Sequence, residues 1–144
     1  MDQVDVTLRA AKLSNDSTIY RLVLMACIWT SLLMSKLPPR FIESVIDSLM
    51  NQAGPCSFEA AQNARNDVIA TNRVCAGEGC LERSLATVFV CGITGRGLPA
   101  WVVGARIEPF RAHSWVEVNG IPVGESIAPD FVPLISLSPT RPSK

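Results

Sequence analysis

The chain has 144 residues, which is enough for one domain that buries about two thirds of the surface exposed by its unfolded form. Thirteen basic and thirteen acidic residues give a formal charge of zero, so the chain lacks the positive surface that binding to DNA or RNA requires. Five cysteines cannot all pair as disulfides, and this favours a reducing, cytoplasmic compartment. Hydrophobic residues make up 48% of the chain but aromatic residues only 6%, which predicts an aliphatic helical core or an apolar surface kept for a partner.

Residues 1–74 are predicted to be mainly helical. Residues 1–14 alternate weakly between apolar and polar side chains, which is typical of a short strand or a frayed arm. Apolar residues at helical spacing then predict three helices, over residues 19–37, 40–51 and 57–74. Pro38 and Pro39 stop the first helix, and Ser57 is positioned to cap the third.

The longest apolar stretch, residues 22–35, is bounded by Arg21 and Lys36. It is shorter than the about 20 apolar residues that a helix needs to cross a bilayer. Asp2 and Asp5 also replace the basic residues with which a secretory signal begins. We therefore expect no transmembrane span and interpret the stretch as part of a buried helix.

The second half of the chain starts with a glycine-rich break. Gly77-Glu78-Gly79 precedes Cys80, and apolar residues at helical spacing follow as far as the glycines that begin at Gly92. The period then changes to that of strands, over residues 101–107, 113–118 and 121–126. The last two strands are joined at Asn119-Gly120, a sequence typical of hairpin turns. These patterns predict an α+β fold, with a helical N-terminal half packed on a small antiparallel sheet.

Cys80 is the cysteine best placed to act as a nucleophile, because it opens a helix. The positive end of a helix dipole and the unpaired amides of the first turn favour a thiolate there. Cys27 and Cys91 lie within apolar stretches and are expected to be buried. Cys75, Cys80 and His113 could be three zinc ligands, but the spacing of the cysteines is unusual and no fourth ligand is evident. We expect neither a metal nor a cofactor.

His113 is the only histidine in the chain, and it lies in the strand pattern A-H-S-W-V-E-V-N-G. A cysteine nucleophile needs an imidazole that accepts the thiol proton and later protonates the leaving amine. A single strand histidine is more often structural, but its place downstream of Cys80 suggests a thiol hydrolase.

Three segments together resemble the leader peptidases of lasso-peptide biosynthesis: C-L-E-R-S-L-A at residues 80–86, the following A-W-V-V-G-A-R-I, and the strand that contains His113. These peptidases are transglutaminase-like cysteine proteases that release a core peptide from its precursor. The resemblance covers residues 75–134 and implies a catalytic core with a transglutaminase-like or papain-like fold, within a single domain over residues 1–144. Residues 135–144 are expected to form a flexible tail.

The family's Cys-His-Asp triad implies that Cys80 is the nucleophile and that His113 is the general base and acid. Arg83 and Trp115 match motif positions whose roles are structural or substrate-positioning. Glu125 stands where the family usually has the aspartate, and Asp130 is the reserve candidate for that carboxylate.

Hairpin geometry tests the assignment of Glu125, because side chains alternate between the two faces of a strand. A two-residue turn at Asn119-Gly120 would direct Glu125 to the face opposite His113. A three-residue loop that also includes Val118 would pair Glu125 with His113 on one face. The triad with Glu125 therefore predicts the longer loop.

The resemblance also implies partners. The substrate would be the leader peptide of a lasso precursor, presented by a separate leader-recognition protein, and an ATP-dependent lasso cyclase would then close the ring. Two other functions remain open: a transglutaminase-like acyltransferase with the same catalytic residues, and a catalytically degenerate scaffold that binds a peptide.

Overall fold

The computed structural model describes residues 17–140. Within them, a series of helices is followed by a four-stranded antiparallel sheet, and this confirms the predicted α+β fold. The helices are α1 (Ser17–Met34), α2 (Pro39–Met50), α3 (Phe58–Thr71), α4 (Arg73–Ala76) and α5 (Cys80–Ile93). The strands are β1 (Ala100–Arg106), β2 (Arg111–Val118), β3 (Ile121–Pro122) and β4 (Val132–Leu137). The strand or arm predicted for residues 1–14 lies outside the described residues.

The helix boundaries follow local signals. α1 ends at Met34, before the predicted end at residue 37, and Pro39 occupies the first turn of α2, where its missing N–H costs nothing. Ser57 caps α3 as predicted, because its hydroxyl accepts a hydrogen bond from the Ala60 amide at 3.1 Å. The third helix was predicted to continue to residue 74, and this end is wrong. The helix ends at Thr71, because the Asn72 side chain accepts hydrogen bonds from the Val74 and Cys75 amides and caps α4.

The sheet has the order β3-β2-β1-β4. The predicted tail over residues 135–144 begins too early, since residues 132–137 form β4 and pair antiparallel with β1. Pro133 interrupts the strand pattern of this segment, which is why the sequence does not predict a strand there. Its position at the sheet edge explains how the proline is tolerated, because one side of an edge strand needs no N–H donor.

Helix α5 is the central element of the core. It packs against α1 and α3 on the helical side and against β2 of the sheet. Its residues from Ser84 to Val88 are all buried, and they meet a largely aliphatic core that includes Ile46, Val68 and Val123. The outer side of α1 nevertheless carries exposed apolar side chains. No helix within residues 17–140 has the length and apolar character needed to cross a membrane.

Candidate active site

Cys80 is the first residue of α5, and it is half-buried, whereas the other four cysteines are buried. The residue before it must be small. A Cβ atom on Gly79 would lie 2.5 Å from the carbonyl oxygen of Val74, to which the Gly79 amide donates a hydrogen bond at 3.0 Å. This close packing sets where α5 begins and leaves the Cys80 thiol at its N-terminus.

The buried cysteines are in surroundings unsuited to a nucleophile. Burial raises the pKa of Cys27 to about 11 and also raises that of Cys75. The Cys91 thiol hydrogen-bonds to Cys56, which raises the pKa of Cys91 and lowers that of Cys56. Cys56 is only 6% exposed, so a polypeptide substrate does not reach it.

The His113 imidazole contacts a carboxylate and two aromatic rings. Its Nε2 atom hydrogen-bonds to Oε1 of Glu125. Trp115, two residues along the same strand, stacks on the ring with a centroid distance of 5.7 Å, and Phe131 lies tilted against it at 6.1 Å. The Trp115 indole in turn donates to Glu117 at 2.8 Å. The ring of His113 is therefore held by its neighbours on several sides.

The hairpin that precedes Glu125 differs from the one predicted. Val118 pairs with Ile121, so the turn has two residues, Asn119 and Gly120, both with positive φ values of 54° and 77°. The prediction that Glu125 needs a three-residue loop to reach His113 is therefore wrong.

The reason is that β3 is much shorter than predicted. It ends at Pro122 instead of continuing to residue 126, and Gly124 has a φ of 74°, which only glycine adopts readily. The chain leaves the regular ladder there, so strand alternation does not determine the direction of Glu125. The bend returns its carboxylate to His113.

Two arginines surround the other oxygen of the Glu125 carboxylate. Arg65, from α3, places Nη2 at 3.3 Å from Oε2, and Arg83, from α5, places Nη2 at 3.9 Å. The side chains of all three are between 11% and 18% exposed. Burial lowers the pKa of Arg65, and the charge of Glu125 partly offsets this effect.

Arg83 also connects this carboxylate to the segment before the nucleophile. Its Nη1 donates to the carbonyl oxygens of Cys75 at 2.9 Å and Gly77 at 3.1 Å. These contacts stabilise the glycine-rich turn from which α5 starts.

A hydroxyl pair joins the helix of Cys80 to the strand of His113. Ser84, one helical turn after Cys80, lies 2.8 Å from the Ser114 hydroxyl, and Trp101 donates to Ser84 at 3.0 Å. Ser84 and Ser114 are each 3% exposed. This buried contact packs the strand that contains His113 against the helix that begins at Cys80.

Cys80 and His113 have no direct hydrogen bond among the interactions described for residues 17–140. The same part of the chain contains no cluster of three or more His, Cys, Asp or Glu side chains that could hold a metal. Cys75, Cys80 and His113 therefore do not form such a cluster.

Asp130, the reserve carboxylate, lies elsewhere. It is 55% exposed and forms an ion pair with Arg106 at 3.7 Å, while Arg106 also stacks on Phe131 at 5.3 Å. The structure brings Glu125, and not Asp130, to His113.

Arg65 and Phe131 were missed by the sequence analysis. Arg65 is 60 residues before Glu125 in the chain, and no local pattern relates the two. Phe131 had a weak signal, since it follows Asp130 directly in A-P-D-F.

A family model for the transglutaminase-like superfamily matches residues 24–136. The chain belongs to the transglutaminase-like superfamily. The match includes Cys80, His113 and Glu125 together with all the described elements except parts of α1 and β4. No curated protein and no solved structure shows significant similarity to the chain. Membership fits a cysteine peptidase or an acyltransferase, two activities that share a cysteine nucleophile in this superfamily.

Proposed function

We propose that the protein is a cysteine peptidase in which Cys80, His113 and Glu125 form the catalytic triad. The observation that carries this proposal is the His113–Glu125 hydrogen bond, on a strand that the Ser84–Ser114 contact joins to the helix beginning at Cys80. Glu125 engages Nε2 of the ring, so Nδ1 is the nitrogen that accepts the thiol proton.

The reaction begins when His113 takes the proton of Cys80 and the thiolate attacks the scissile carbonyl carbon. The amides of Leu81 and Glu82 lie in the first turn of α5, where a helix offers them no acceptor, and they can donate to the developing oxyanion. As the C–N bond breaks, the imidazolium gives its proton to the leaving amine. The acyl group is then held on Cys80 as a thioester.

Water resolves the thioester in the second half of the reaction. His113 removes a proton from the water, whose oxygen attacks the carbonyl carbon. The C–S bond breaks, the product leaves with a free carboxylate, and the thiolate is regenerated. Throughout, the negative charge of Glu125 stabilises the imidazolium form of His113.

Its resemblance to the leader peptidases supports a substrate class. We propose that the scissile bond joins leader and core of a lasso-peptide precursor in the cytoplasm, and that a separate recognition protein presents the leader. An ATP-dependent cyclase would use the released core. An acyltransferase is the second candidate, because the superfamily includes both activities and an amine can resolve the same thioester.

The test is mass spectrometry of a precursor incubated with its recognition protein and this chain. We expect two products whose summed mass exceeds that of the precursor by one water, and no cleavage by Cys80→Ala. Cys75→Ala is the matched control, since Cys75 is buried nearby and should leave turnover within a few fold. Cleavage by Cys80→Ala at the wild-type rate would refute the proposal, and a product carrying an added amine would favour the acyltransferase.

A further inference from the structure

Arg65 makes the closer of the two arginine contacts to Glu125. Its Nη2 atom is 3.3 Å from Oε2, while Arg83 is 3.9 Å away and uses its Nη1 for two backbone carbonyls. Glu125 is the only hydrogen-bond partner described for the Arg65 side chain within residues 17–140. Arg83 therefore has a structural task of its own, whereas the contacts of Arg65 are directed at the carboxylate and the bend before it.

Arg65 also packs on the bend that directs Glu125 to His113. A Cβ atom on Gly124 would lie 2.6 Å from Nη1 of Arg65 and 3.0 Å from its Cδ and Cζ atoms. The Arg65 side chain thus fills the space that a Cβ atom would need, and the positive φ of Gly124 independently favours glycine there. The Gly124 backbone and the Glu125 carboxylate therefore both contact Arg65, a single side chain of α3.

The two carboxylate oxygens are divided between partners. Oε1 faces Nε2 of His113, and Oε2 faces the guanidinium of Arg65. The terminal torsion of a glutamate is otherwise broad. A charged partner on Oε2 therefore selects the rotation that presents Oε1 to the ring. Because the group is mostly buried, this attraction is screened less than it would be at the surface.

We infer that Arg65 is a positioning residue for the triad acid. It acts by holding Glu125 in the orientation that aligns His113 and by stabilising the Gly124 bend. The inference rests on the proposed function for its effect on turnover, but the orientation of the His113 ring can be measured without a substrate. Glu125, not Arg65, contacts the reacting imidazole.

The experiment compares Arg65→Gln and Arg65→Lys with wild-type protein. Arg96→Gln is the matched control, since Arg96 is another half-buried arginine, but one whose side chain donates to Tyr20 instead of to the site. We expect Arg65→Gln to lower kcat about 10- to 100-fold with KM within a few fold, because misplacement of a catalytic group affects the chemical step. Arg65→Lys should recover part of kcat, because it retains the charge without the planar group.

The nitrogen NMR signals of the ring provide a readout that needs no turnover. His113 is the only histidine, so its two ring nitrogens can be assigned without ambiguity. In Arg65→Gln we expect the Nε2 signal to move toward that of Glu125→Gln, whereas Arg96→Gln should match the wild type. The rate at which iodoacetamide alkylates Cys80 should fall in parallel, since the thiolate depends on the aligned imidazole.

A double variant tests whether Arg65 acts through Glu125. Adding Arg65→Gln to Glu125→Gln should cause little further loss of kcat and no further change in the ring signals. The inference is overturned if Arg65→Gln matches Arg96→Gln in the ring signals and kcat, or if its full effect persists in the double variant. If Arg65→Gln does not fold, Arg65→Lys decides: ring signals between those of the wild type and Glu125→Gln support the inference, and ring signals that match Arg96→Gln overturn it. A wild-type protein that cleaves no precursor would count against the proposed function, while the ring signals and the alkylation rate would still decide the role of Arg65.

Discussion

At the scale of single residues, Glu125 stands where the leader peptidases that the sequence resembles usually have an aspartate. The longer side chain reaches His113 from a bend instead of from a regular strand, and its second oxygen lies among arginines. Glu125 follows a backbone path that has left the regular strand, because Gly124 takes the chain out of the ladder before it.

We expect Glu125→Gln to lower kcat about 10- to 1,000-fold, since an amide can still orient the ring but cannot stabilise the imidazolium by charge. Glu125→Asp should retain more activity than Glu125→Gln, because it keeps the carboxylate. Asp130→Asn should be mild, because its carboxylate pairs with Arg106 near the surface. Precursor cleavage rates measure all three, and a larger loss in Asp130→Asn than in Glu125→Gln would identify Asp130 as the acid.

At the scale of elements, the important contact is the one between α5 and β2. Ser84 connects three elements, because it lies on α5, accepts from Trp101 of β1 and bonds to Ser114 of β2. It also donates to the Leu81 carbonyl of its own helix at 2.9 Å. Polar groups buried at such a junction are stabilising only while all of them are paired.

Ser84→Ala should lower the free energy of unfolding by about 2 kcal/mol or more, because the Trp101 N–H and the Ser114 hydroxyl would both lose their buried partner. Ser114→Ala is the control. It should cost about 1 kcal/mol, since Ser84 would keep its contacts with Trp101 and Leu81. Urea denaturation compares the two, and a loss in Ser84→Ala no larger than that in Ser114→Ala would contradict the prediction.

At the scale of the whole molecule, the described helices pack against one sheet, and α5 lies between α1 and α3 on one side and the sheet on the other. The high hydrophobic content predicted either an aliphatic core or an apolar surface kept for a partner. The structure contains an aliphatic core and also exposed apolar side chains. The core is largely aliphatic, but Leu22, Trp29 and Leu33 on α1 are 62%, 62% and 65% exposed.

The proposal assigns leader recognition to a separate protein, so efficient cleavage should depend on it. At precursor concentrations well below KM, adding the recognition protein should raise the cleavage rate at least about tenfold, because binding the leader in trans raises the local concentration of the scissile bond. A recognition protein paired with an unrelated leader is the control. Full cleavage at low precursor concentration by this chain alone would contradict the prediction.

Features determined by neighbouring residues could be read from the sequence. Cys80 opens a helix because glycines precede it and apolar residues at helical spacing follow it, and Ser57 caps α3 because its hydroxyl reaches an amide three residues on. The alternating patterns of β1 and β2 and the Asn119-Gly120 turn are local in the same sense. Cys80 and His113 were predicted as site residues from their local patterns together with the family resemblance, and their catalytic roles stay predictions.

Features that depend on contacts between distant residues were decided only by the tertiary structure. β4 exists because β1 offers a free edge to a segment with a poor strand sequence. Glu125 meets His113 although the hairpin register alone would direct it away, and Arg65 comes from 60 residues upstream to hold it. Periodicity and turn chemistry describe the chain one segment at a time, whereas these contacts depend on packing between segments, which no local pattern encodes.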